Sequence, residues 1–384
     1  MQLEVIGVGG AGCRIADAIV ARESEQYRFV GDAFAFDTDV ESAATLEAIP
    51  EEYRHRFGDT IDEGLNGNLD RGLEVGEEYV DELGRVLDQG RPSTADAFLL
   101  TVGLGGATGS GAVPHLIPRL QTVYDKPVYV LATLPAKSEL SADDTVGIER
   151  PAAAGSSVEV DVGETRPLAE ENAVRTLKLL DGLANAVICF DNESWLHTDE
   201  NLVEARDRLN RDLATRVEAL FGAGAAGDGD VAETVIDASD LARILDSTDE
   251  TVVATLGYGH QNVETDDGGS RFGLGLIPTE SSVDTTEAVS AVETTINKAL
   301  HGKLTLECER ANVNRAMVVV GGPPDWLNRK AIADGRRTVQ SATGSAEILG
   351  GDAPRPDSDH VFTVVLLAGL ESVDRLESLW RSRR

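Results

Sequence analysis

The stretch Gly103-Leu104-Gly105-Gly106-Ala107-Thr108-Gly109-Ser110-Gly111 decides the fold class of this chain. It follows the apolar run AFLLTV (97–102) and precedes AVPHLIPRL (112–120), which has the apolar spacing of a helix. Glycines at a strand-to-helix turn let backbone N–H groups approach the oxygens of an anion, and the two hydroxyl groups add further donors. No lysine follows the glycines, so the stretch is a phosphate cradle of another type than the Walker A loop.

A second loop of this kind lies near the start of the chain. Gly7-Val8-Gly9-Gly10-Ala11-Gly12 ends the strand-like LEVIGV (3–8), fits the GxGxxG pattern, and has Asp37 at the end of the next strand. The same features are typical of dinucleotide-binding dehydrogenases, so this loop alone does not identify the ligand. Two cradles together favour a nucleoside triphosphate, because its run of phosphates needs more than one anion site.

Short apolar strands alternate with helical patterns through the first half of the chain, which predicts an α/β fold with a parallel sheet covered on both faces. The predicted strands are 3–8, 34–37, 97–102, 127–134 and 186–191. Ligands of such sheets lie beyond the carboxyl ends of the strands, where both glycine loops fall. We predict an exposed inserted loop over 136–171, and a long helix over 200–221 with protein against both faces.

The remainder has the pattern of a smaller α/β unit behind a flexible joint, GAGAAGDGD (222–230). Its predicted strands are 251–258, 316–322 and 361–370, and its predicted helices span about 284–302 and 328–343. We therefore divide the chain into a nucleotide-binding domain (1–199), a central helix (200–222) and a C-terminal domain (223–384). The end of the chain, VDRLESLWRSRR (373–384), is interpreted as a small contact site or a solubilising end.

The composition excludes several classes of partner and ligand. Asp and Glu number 67 against 34 Lys and Arg, a formal net charge of −33. The electric field of this negative charge repels nucleic acid and anionic membranes. The acidic residues are spread along the whole chain, which indicates a halophilic source. Without a long apolar run or a signal peptide, we expect a soluble, cytoplasmic protein. The three cysteines and six histidines lack ligand spacing, so no metal site of the chain itself is predicted.

Several stretches resemble the tubulin/FtsZ superfamily. Residues 105–111 resemble its GGGTGSG signature with Ala107 in place of one glycine, and residues 5–13 resemble the first phosphate loop of FtsZ. FDNESW (190–195), LFGAG (220–224) and residues 327–354 are most similar to the CetZ branch, the tubulin-like proteins of haloarchaea. The resemblance implies a GTPase domain, a C-terminal activation domain, and GTP-dependent head-to-tail polymerisation into filaments. It favours control of cell shape over division.

The resemblance also implies which residues bind GTP or GDP, with Mg²⁺ accompanying the nucleotide. Residues 37–39 and 64–72 fall where the family has its second and third nucleotide loops, the latter near the γ-phosphate. Asn192 and Asn210 match positions that contact guanine or ribose, and for a further glutamate both Glu164 and Glu139 fit. The expected nucleotide-contacting residues are Gly9, Gly10, Ala11, Gly12, Cys13, Arg14, Asp37, Asn68, Gly105, Gly106, Ala107, Thr108, Gly109, Ser110, Gly111, Glu164, Asn192 and Asn210.

Hydrolysis is expected from residues 235–240, which resemble the synergy loop of the superfamily. Asp237 and Asp240 would reach the nucleotide of the next subunit, orient or deprotonate the attacking water, and help to hold a cation. Apart from the resemblance, Asp237 is equally well interpreted as the cap of a following helix. Val235 stands where FtsZ has an asparagine, which leaves the rate of hydrolysis open.

Two alternatives to a polymerising GTPase follow from the same residues. A tubulin-like regulator that holds GTP but scarcely hydrolyses it is favoured by Ala107 and Val235. The interpretation as an NAD-dependent oxidoreductase is supported by GxGxxG and Asp37 alone, and it does not explain the second glycine loop, residues 103–111. The expected partner is the chain itself, while other cytoskeletal proteins remain compatible.

Overall fold

The computed structural model describes residues 1–24, 26–59, 61, 65–140, 166–224, 232, 234–247, 250–264, 283–345 and 347–381. In chain order the elements are β1 (Leu3–Val8), α1 (Gly9–Arg22), β2 (Val30–Asp37), α2 (Val40–Ala44), β3 (Arg54–Arg56), α3 (Leu69–Leu87), β4 (Ala97–Gly103), α4 (Ala107–Tyr124), β5 (Val128–Leu134), α5 (Ala169–Leu180), β6 (Ala186–Asp191), α6 (Asn192–Trp195), α7 (Leu202–Phe221), α8 (Ala238–Leu245), β7 (Val252–Asn262), α9 (Thr285–His301), β8 (Val313–Gly322), α10 (Arg329–Thr343), β9 (Glu347–Pro354), β10 (His360–Leu370) and α11 (Asp374–Arg381).

The strands form one ten-stranded sheet in the order β3-β2-β1-β4-β5-β6-β7-β10-β8-β9. All neighbours from β3 to β7 are parallel, whereas β10 is antiparallel to both β7 and β8. The prediction of a parallel α/β sheet is confirmed. Two strands were not predicted, because β3 is only three residues long and β9 carries two glycines and an aspartate.

Helices cover both faces of the sheet. Along β1, Leu3 and Val5 pack on the side of α1 and α7, while Ile6 and Val8 pack on the side of α3 and α4. This division follows from the alternation of side chains along a strand. The second face is completed by α5 and α11 over the first half of the sheet and by α9 and α10 over the second. Both glycine loops thereby lie at the carboxyl edge of a rigid sheet.

The long helix α7 begins after Asn201, whose side chain accepts a hydrogen bond from the backbone N–H of Glu204. Its C-terminal half is enclosed, but Val203 is 52% exposed and Asp207 is also exposed. The prediction that protein contacts both faces is therefore wrong for the first turns, where charged side chains keep one face in water. With 1.5 Å of rise per residue, the helix spans about 30 Å.

The predicted exposed loop over 136–171 is wrong at both ends. Ala136 and Glu139 are buried, and the Glu139 carboxylate accepts a hydrogen bond from the Ala136 N–H at 2.7 Å. At the other end α5 begins at Ala169, which is also buried. Residues 141–165, the middle of the stretch, lie outside the described ranges.

Two more segments are more firmly packed than the sequence indicates. Gly222–Gly224, the start of the predicted joint, forms a 3₁₀ turn, and the Gly222 carbonyl accepts from the Arg355 guanidinium at 2.7 Å. Residues 225–230 of that joint lie outside the described ranges. The C-terminal α11 buries Leu376 and Leu379 against the sheet layer, so it is part of the core. Within the described ranges, no helix has both the length and the apolar character to span a bilayer.

Candidate functional site

The two glycine loops touch each other at the carboxyl edge of the sheet. Gly9 has φ +72°, and a Cβ placed on it would lie 2.9 Å from the Gly109 backbone nitrogen. A Cβ on Gly109 would in turn lie 2.5 Å from the Val8 carbonyl oxygen. Helices α1 and α4 therefore start side by side, with no acidic residue in the first turn of either. Their unpaired N–H groups and positive dipole ends form one anion-binding surface.

The predicted glycine-loop residues fall into two groups. Gly10, Ala11, Gly106 and Thr108 are partly exposed and can reach a ligand. The buried members are Gly9, Gly12, Gly105, Ala107, Gly109, Ser110 and Gly111. Their absent or small side chains allow the close contacts between loops and helices. The Cys13 thiol is fully buried and donates to the Gly7 and Phe36 carbonyls at 3.5 Å, so only its backbone can serve a nucleotide.

A charged cluster lies beside Gly10. A Cβ on Gly10 would lie 3.3 Å from the Arg14 guanidinium, 3.4 Å from the Asp37 carboxylate and 2.8 Å from the Ser42 hydroxyl. Burial raises the pKa of Asp37, whose carboxylate accepts from the Thr38 N–H at 2.8 Å. The cluster therefore joins the first glycine loop to the end of β2, where residues 37–39 are predicted to contact the nucleotide.

Two further arginines act on Arg14. Burial lowers the pKa of Arg14, and the positive charges of Arg206 and Arg166 lower it further. The charges of Arg166 and Arg206 thus act on Arg14, in a chain whose net charge is −33. Glu139 lies 4.0 Å from Arg166 and Asp207 lies 3.7 Å from Arg206, so carboxylates offset part of this positive charge. A bound anion would offset the repulsion further, so the three arginines suit an anionic ligand. The sequence patterns did not identify Arg166 or Arg206, because neither lies in a glycine loop.

The second and third loops are tied to the glycine cradle. The Thr38 and Thr108 hydroxyls are 3.0 Å apart, and Asn68 caps α3 by accepting from the Arg71 N–H at 3.1 Å. Asn172 is buried on α5 and donates to the Gly67 carbonyl at 2.8 Å and the Gly105 carbonyl at 3.2 Å. Asn172 holds the third loop on the cradle, a function that no local pattern around it predicts.

The residues expected around the base lie on separate elements. Asn192 is the first residue of α6 directly after β6, and Asn210 lies on α7 one turn beyond Arg206; both are partly buried. Glu139 is held internally, with Arg166 4.0 Å from its carboxylate, and burial raises its pKa. Glu164 lies outside the described ranges.

The two candidate catalytic aspartates lie at the start of α8, away from the glycine loops. Asp237 caps α8 by accepting from the Asp240 N–H at 2.9 Å, while the Asp240 carboxylate accepts from the Asp237 N–H at 3.3 Å. This reciprocal capping box is the structural interpretation that the sequence left open. It does not exclude a second use, because each carboxylate has two oxygens that accept hydrogen bonds.

The capping box lies at the amino edge of the sheet. A Cβ on Gly224 would lie 3.5 Å from the Met1 nitrogen, and the charges of Asp96 and Asp237 both act on the Met1 amino group. Met1 precedes β1 and Asp96 precedes β4, whereas the glycine loops follow these two strands. At about 3.3 Å per residue, β1 alone separates the two edges by about 20 Å. One copy of the chain therefore does not bring Asp237 to its own cradle.

Known proteins are similar to this chain in both sequence and fold. The chain matches two family models, Tubulin/FtsZ family, GTPase domain, over residues 2–159, and Tubulin-like CetZ, C-terminal domain, over residues 199–383. The tubulin-like protein CetZ5 of Haloferax volcanii is 34% identical over 99% of this chain and 90% of its own length.

Two solved structures from the same organism align over almost the whole chain. The CetZ1 GDP-bound monomer is 29% identical with a TM-score of 0.79, covering 99% of this chain and 98% of CetZ1. The CetZ2 GTPγS-bound protofilament is 28% identical with a TM-score of 0.78, covering 100% of this chain and 97% of CetZ2.

Proposed function

Because this chain belongs to the CetZ family of tubulin-like proteins, we propose that it is a GTPase whose copies join head to tail into filaments and hydrolyse GTP where two copies meet. The GDP-bound CetZ1 and the GTPγS-bound CetZ2 protofilament support a guanine nucleotide and self-assembly. The separation of the phosphate cradle from the Asp237 loop is the observation that carries the proposal.

The cradle holds the nucleotide by its phosphates. The N–H groups at the starts of α1 and α4 donate to phosphate oxygens, and the Thr108 hydroxyl and the Arg14 guanidinium add to them. Asn192 and Asn210 have amides that match both donor and acceptor groups of guanine. Among the described residues, no cluster of three or more His, Cys, Asp or Glu could hold a metal. Mg²⁺ would accordingly be held chiefly by the phosphates and water, as is usual for this ion.

The reaction needs a second copy. When the amino edge of one sheet is stacked on the carboxyl edge of the next, Asp237 and Asp240 enter the γ-phosphate side of the neighbour's cradle. There a carboxylate oxygen accepts a hydrogen bond from water and aligns it for in-line attack on the γ-phosphorus. The products are GDP and inorganic phosphate. Loss of the γ-phosphate then removes contacts that favour the stacked state.

Phosphate release from GTP and from ATP at high KCl, over a range of protein concentrations, tests this proposal. We expect GTP-selective turnover that rises more steeply than linearly with concentration, because each added contact completes a site. A rate per subunit that is independent of concentration would contradict a site shared between copies.

A second candidate is a tubulin-like regulator that binds GTP with little turnover. Val235 favours it, since this side chain is apolar and 51% exposed beside the aspartates, where FtsZ has an amide. Tight GTP binding and filament formation without phosphate release would support the regulator. The family assignment leaves no ground for the NAD-dependent oxidoreductase.

We keep the proposed division of the chain into a GTP-binding domain (1–199), a central helix (200–222) and a C-terminal activation domain (223–384). The match of the CetZ C-terminal family from residue 199 onwards supports the first boundary. For the filament we propose the control of cell shape, which the family favours. Altered cell shape on deletion of the gene, with division unaffected, is the expected result.

A further inference from the structure

Arg375 joins the C-terminal helix to three segments of the nucleotide-binding half. Its side chain is 13% exposed at the start of α11. The guanidinium donates to the Asp191 carboxylate at 3.1 Å, to the Glu170 carboxylate at 3.4 Å and to the Pro135 carbonyl at 2.7 Å. One partly buried side chain thus contacts the end of β6, the first turn of α5 and the residue that follows β5.

Each of these three segments lies against the proposed nucleotide site. Pro135, which Arg375 contacts, and Ala169, the neighbour of Glu170, bound the space beside Gly105. A Cβ on Gly105 would lie 3.3 Å from the Pro135 Cβ and 3.0 Å from the Ala169 Cβ. Glu170 shares α5 with Asn172, which holds the cradle and the third loop. Asp191 immediately precedes Asn192, the residue expected at the base.

The buried carboxylate of Asp191 is stabilised by the charge of Arg375. Its side chain is only 8% exposed, and burial raises its pKa while the charge of Arg375 lowers it. Asp191 also occupies the N-cap position of α6, but its side chain makes no capping hydrogen bond. Its carboxylate accepts from Arg375, so the guanidinium is tied to the residue that directly precedes Asn192.

We propose that Arg375 is a positioning residue for base recognition, which makes the C-terminal helix a part of the nucleotide site. The inference rests on the proposed binding of GTP with Asn192 at the base. A lysine cannot replace the arginine, because the planar guanidinium reaches three acceptors at once and an ammonium is a point charge. By linkage, a nucleotide that fixes Asn192 also stabilises the docked α11.

The test compares the affinities of the full chain for GDP and ADP by calorimetry in high KCl. We expect Arg375→Lys to weaken GDP binding about tenfold while ADP binding, which depends on the phosphates, changes much less. The ratio of the two affinities should therefore fall towards one. Arg381→Ala is the matched control, since this arginine lies on the same helix, is 74% exposed and pairs only with Glu377 among the described contacts.

A purely structural arginine would give a different pattern. Arg375→Lys would then lower the melting temperature of the nucleotide-free protein but leave the GDP-to-ADP ratio unchanged, which would overturn the inference. Hydrogen exchange on the wild-type chain gives an independent test. Saturating GDP should slow the exchange of amides 374–381, and unchanged exchange there would also count against the inference. Failure of the wild type to prefer GDP over ADP would instead contradict the proposed function itself.

Discussion

The carboxyl and amino edges of the sheet differ in how closely their loops are packed. At the carboxyl edge the loops interlock so closely that a methyl group on Gly9 or Gly109 meets backbone atoms. At the amino edge, Asp237 and Asp240 satisfy each other's backbone N–H groups, and Val235 beside them is exposed. The first edge is closely packed around two helix starts whose N–H groups can bind an anion, while the second is capped internally and has an exposed valine beside the cap. In the proposed filament, this difference lets one chain carry both halves of a site without uniting them.

The largest effect is expected from a substitution in the cradle. Gly9→Ala adds strain at φ +72° and a contact with the Gly109 nitrogen, so the N–H groups of both helix starts are displaced. Displaced N–H groups no longer reach the phosphates, and the loss of hydrogen bonds worth about 2–3 kcal/mol predicts about a hundredfold loss of GTP affinity, measured by calorimetry.

Gly182→Ala is the matched control for the cradle substitution. Gly182 has φ +76°, but nothing lies within 4 Å of the position of its Cβ. The positive φ strains an alanine here as it does at residue 9, but no neighbour is displaced. The free energy of unfolding should therefore fall by about 1 kcal/mol without any loss of GTP affinity. Equal losses of affinity in the two variants would show that the interlocked loops do not form the phosphate site.

A change at the amino edge should affect turnover but not affinity. Asp237→Asn preserves the cap, because asparagine caps helices as well as aspartate does. We expect GTP turnover in assembled protein to fall about a hundredfold, since the carboxylate that orients water is lost. Binding of GTP to the single subunit should be unchanged.

Asp284→Asn controls for the cap itself, because Asp284 caps α9 by accepting from the Thr286 N–H at 2.8 Å. It should leave turnover as in the wild type. If Asp237→Asn and Asp284→Asn both retain full turnover, Asp237 serves only as a helix cap and the proposed chemistry is wrong.

A smaller gain is expected from Val235→Asn. An added amide beside the aspartates can hold water through one more hydrogen bond, which predicts about a fivefold faster turnover. Val123→Asn, at a valine that is 48% exposed on α4, should change nothing. Steady-state phosphate release distinguishes the two variants. An unchanged rate for Val235→Asn would mean that this position does not limit hydrolysis.

A substitution of Glu4 on β1 should leave GTP turnover unchanged and alter only the dependence of stability on pH. Glu4 is 1% exposed, and its carboxylate oxygens find no hydrogen-bond partner in the described part of the chain. Burial is the main cause that raises its pKa from 4.5 to about 8. As the pH rises, Glu4 ionises in the unfolded chain before it ionises in the folded one. The neutral Glu4 carboxyl therefore makes its full contribution to the free energy of unfolding below pH 4.5, and this contribution is lost as the pH rises to 8.

Glu4→Gln removes this dependence on pH. The variant should match the wild type in denaturant unfolding near pH 5 and exceed it at pH 8.5 by about 2–4 kcal/mol. A difference in stability that is the same at both pH values would mean that Glu4 does not titrate in this window.

Local patterns predicted the positions of the two glycine loops and of most elements, but not the side chains that packing brings close to those loops. Both glycine loops and the helices 285–301 and 329–343 were predictable, because glycine spacing and apolar periodicity are local properties. Asn172 bonds to two loops of the candidate site, and Arg375 contacts segments beside it. The charges of Arg166 and Arg206 act on Arg14. These interactions join distant parts of the chain through packing, which no local pattern encodes. Asp237 had two interpretations in the sequence, and the structure shows the capping one while leaving its catalytic use a proposal.

Mixing two inactive variants tests the central claim most directly. Gly9→Ala subunits keep the aspartate loop but lack a working cradle, whereas Asp237→Asn subunits keep the cradle but lack the carboxylate. If the site is shared between copies, the mixture should hydrolyse GTP well above the sum of the separate rates. Turnover that stays at that sum, in a mixture shown by sedimentation to co-assemble, would contradict a site shared between two copies.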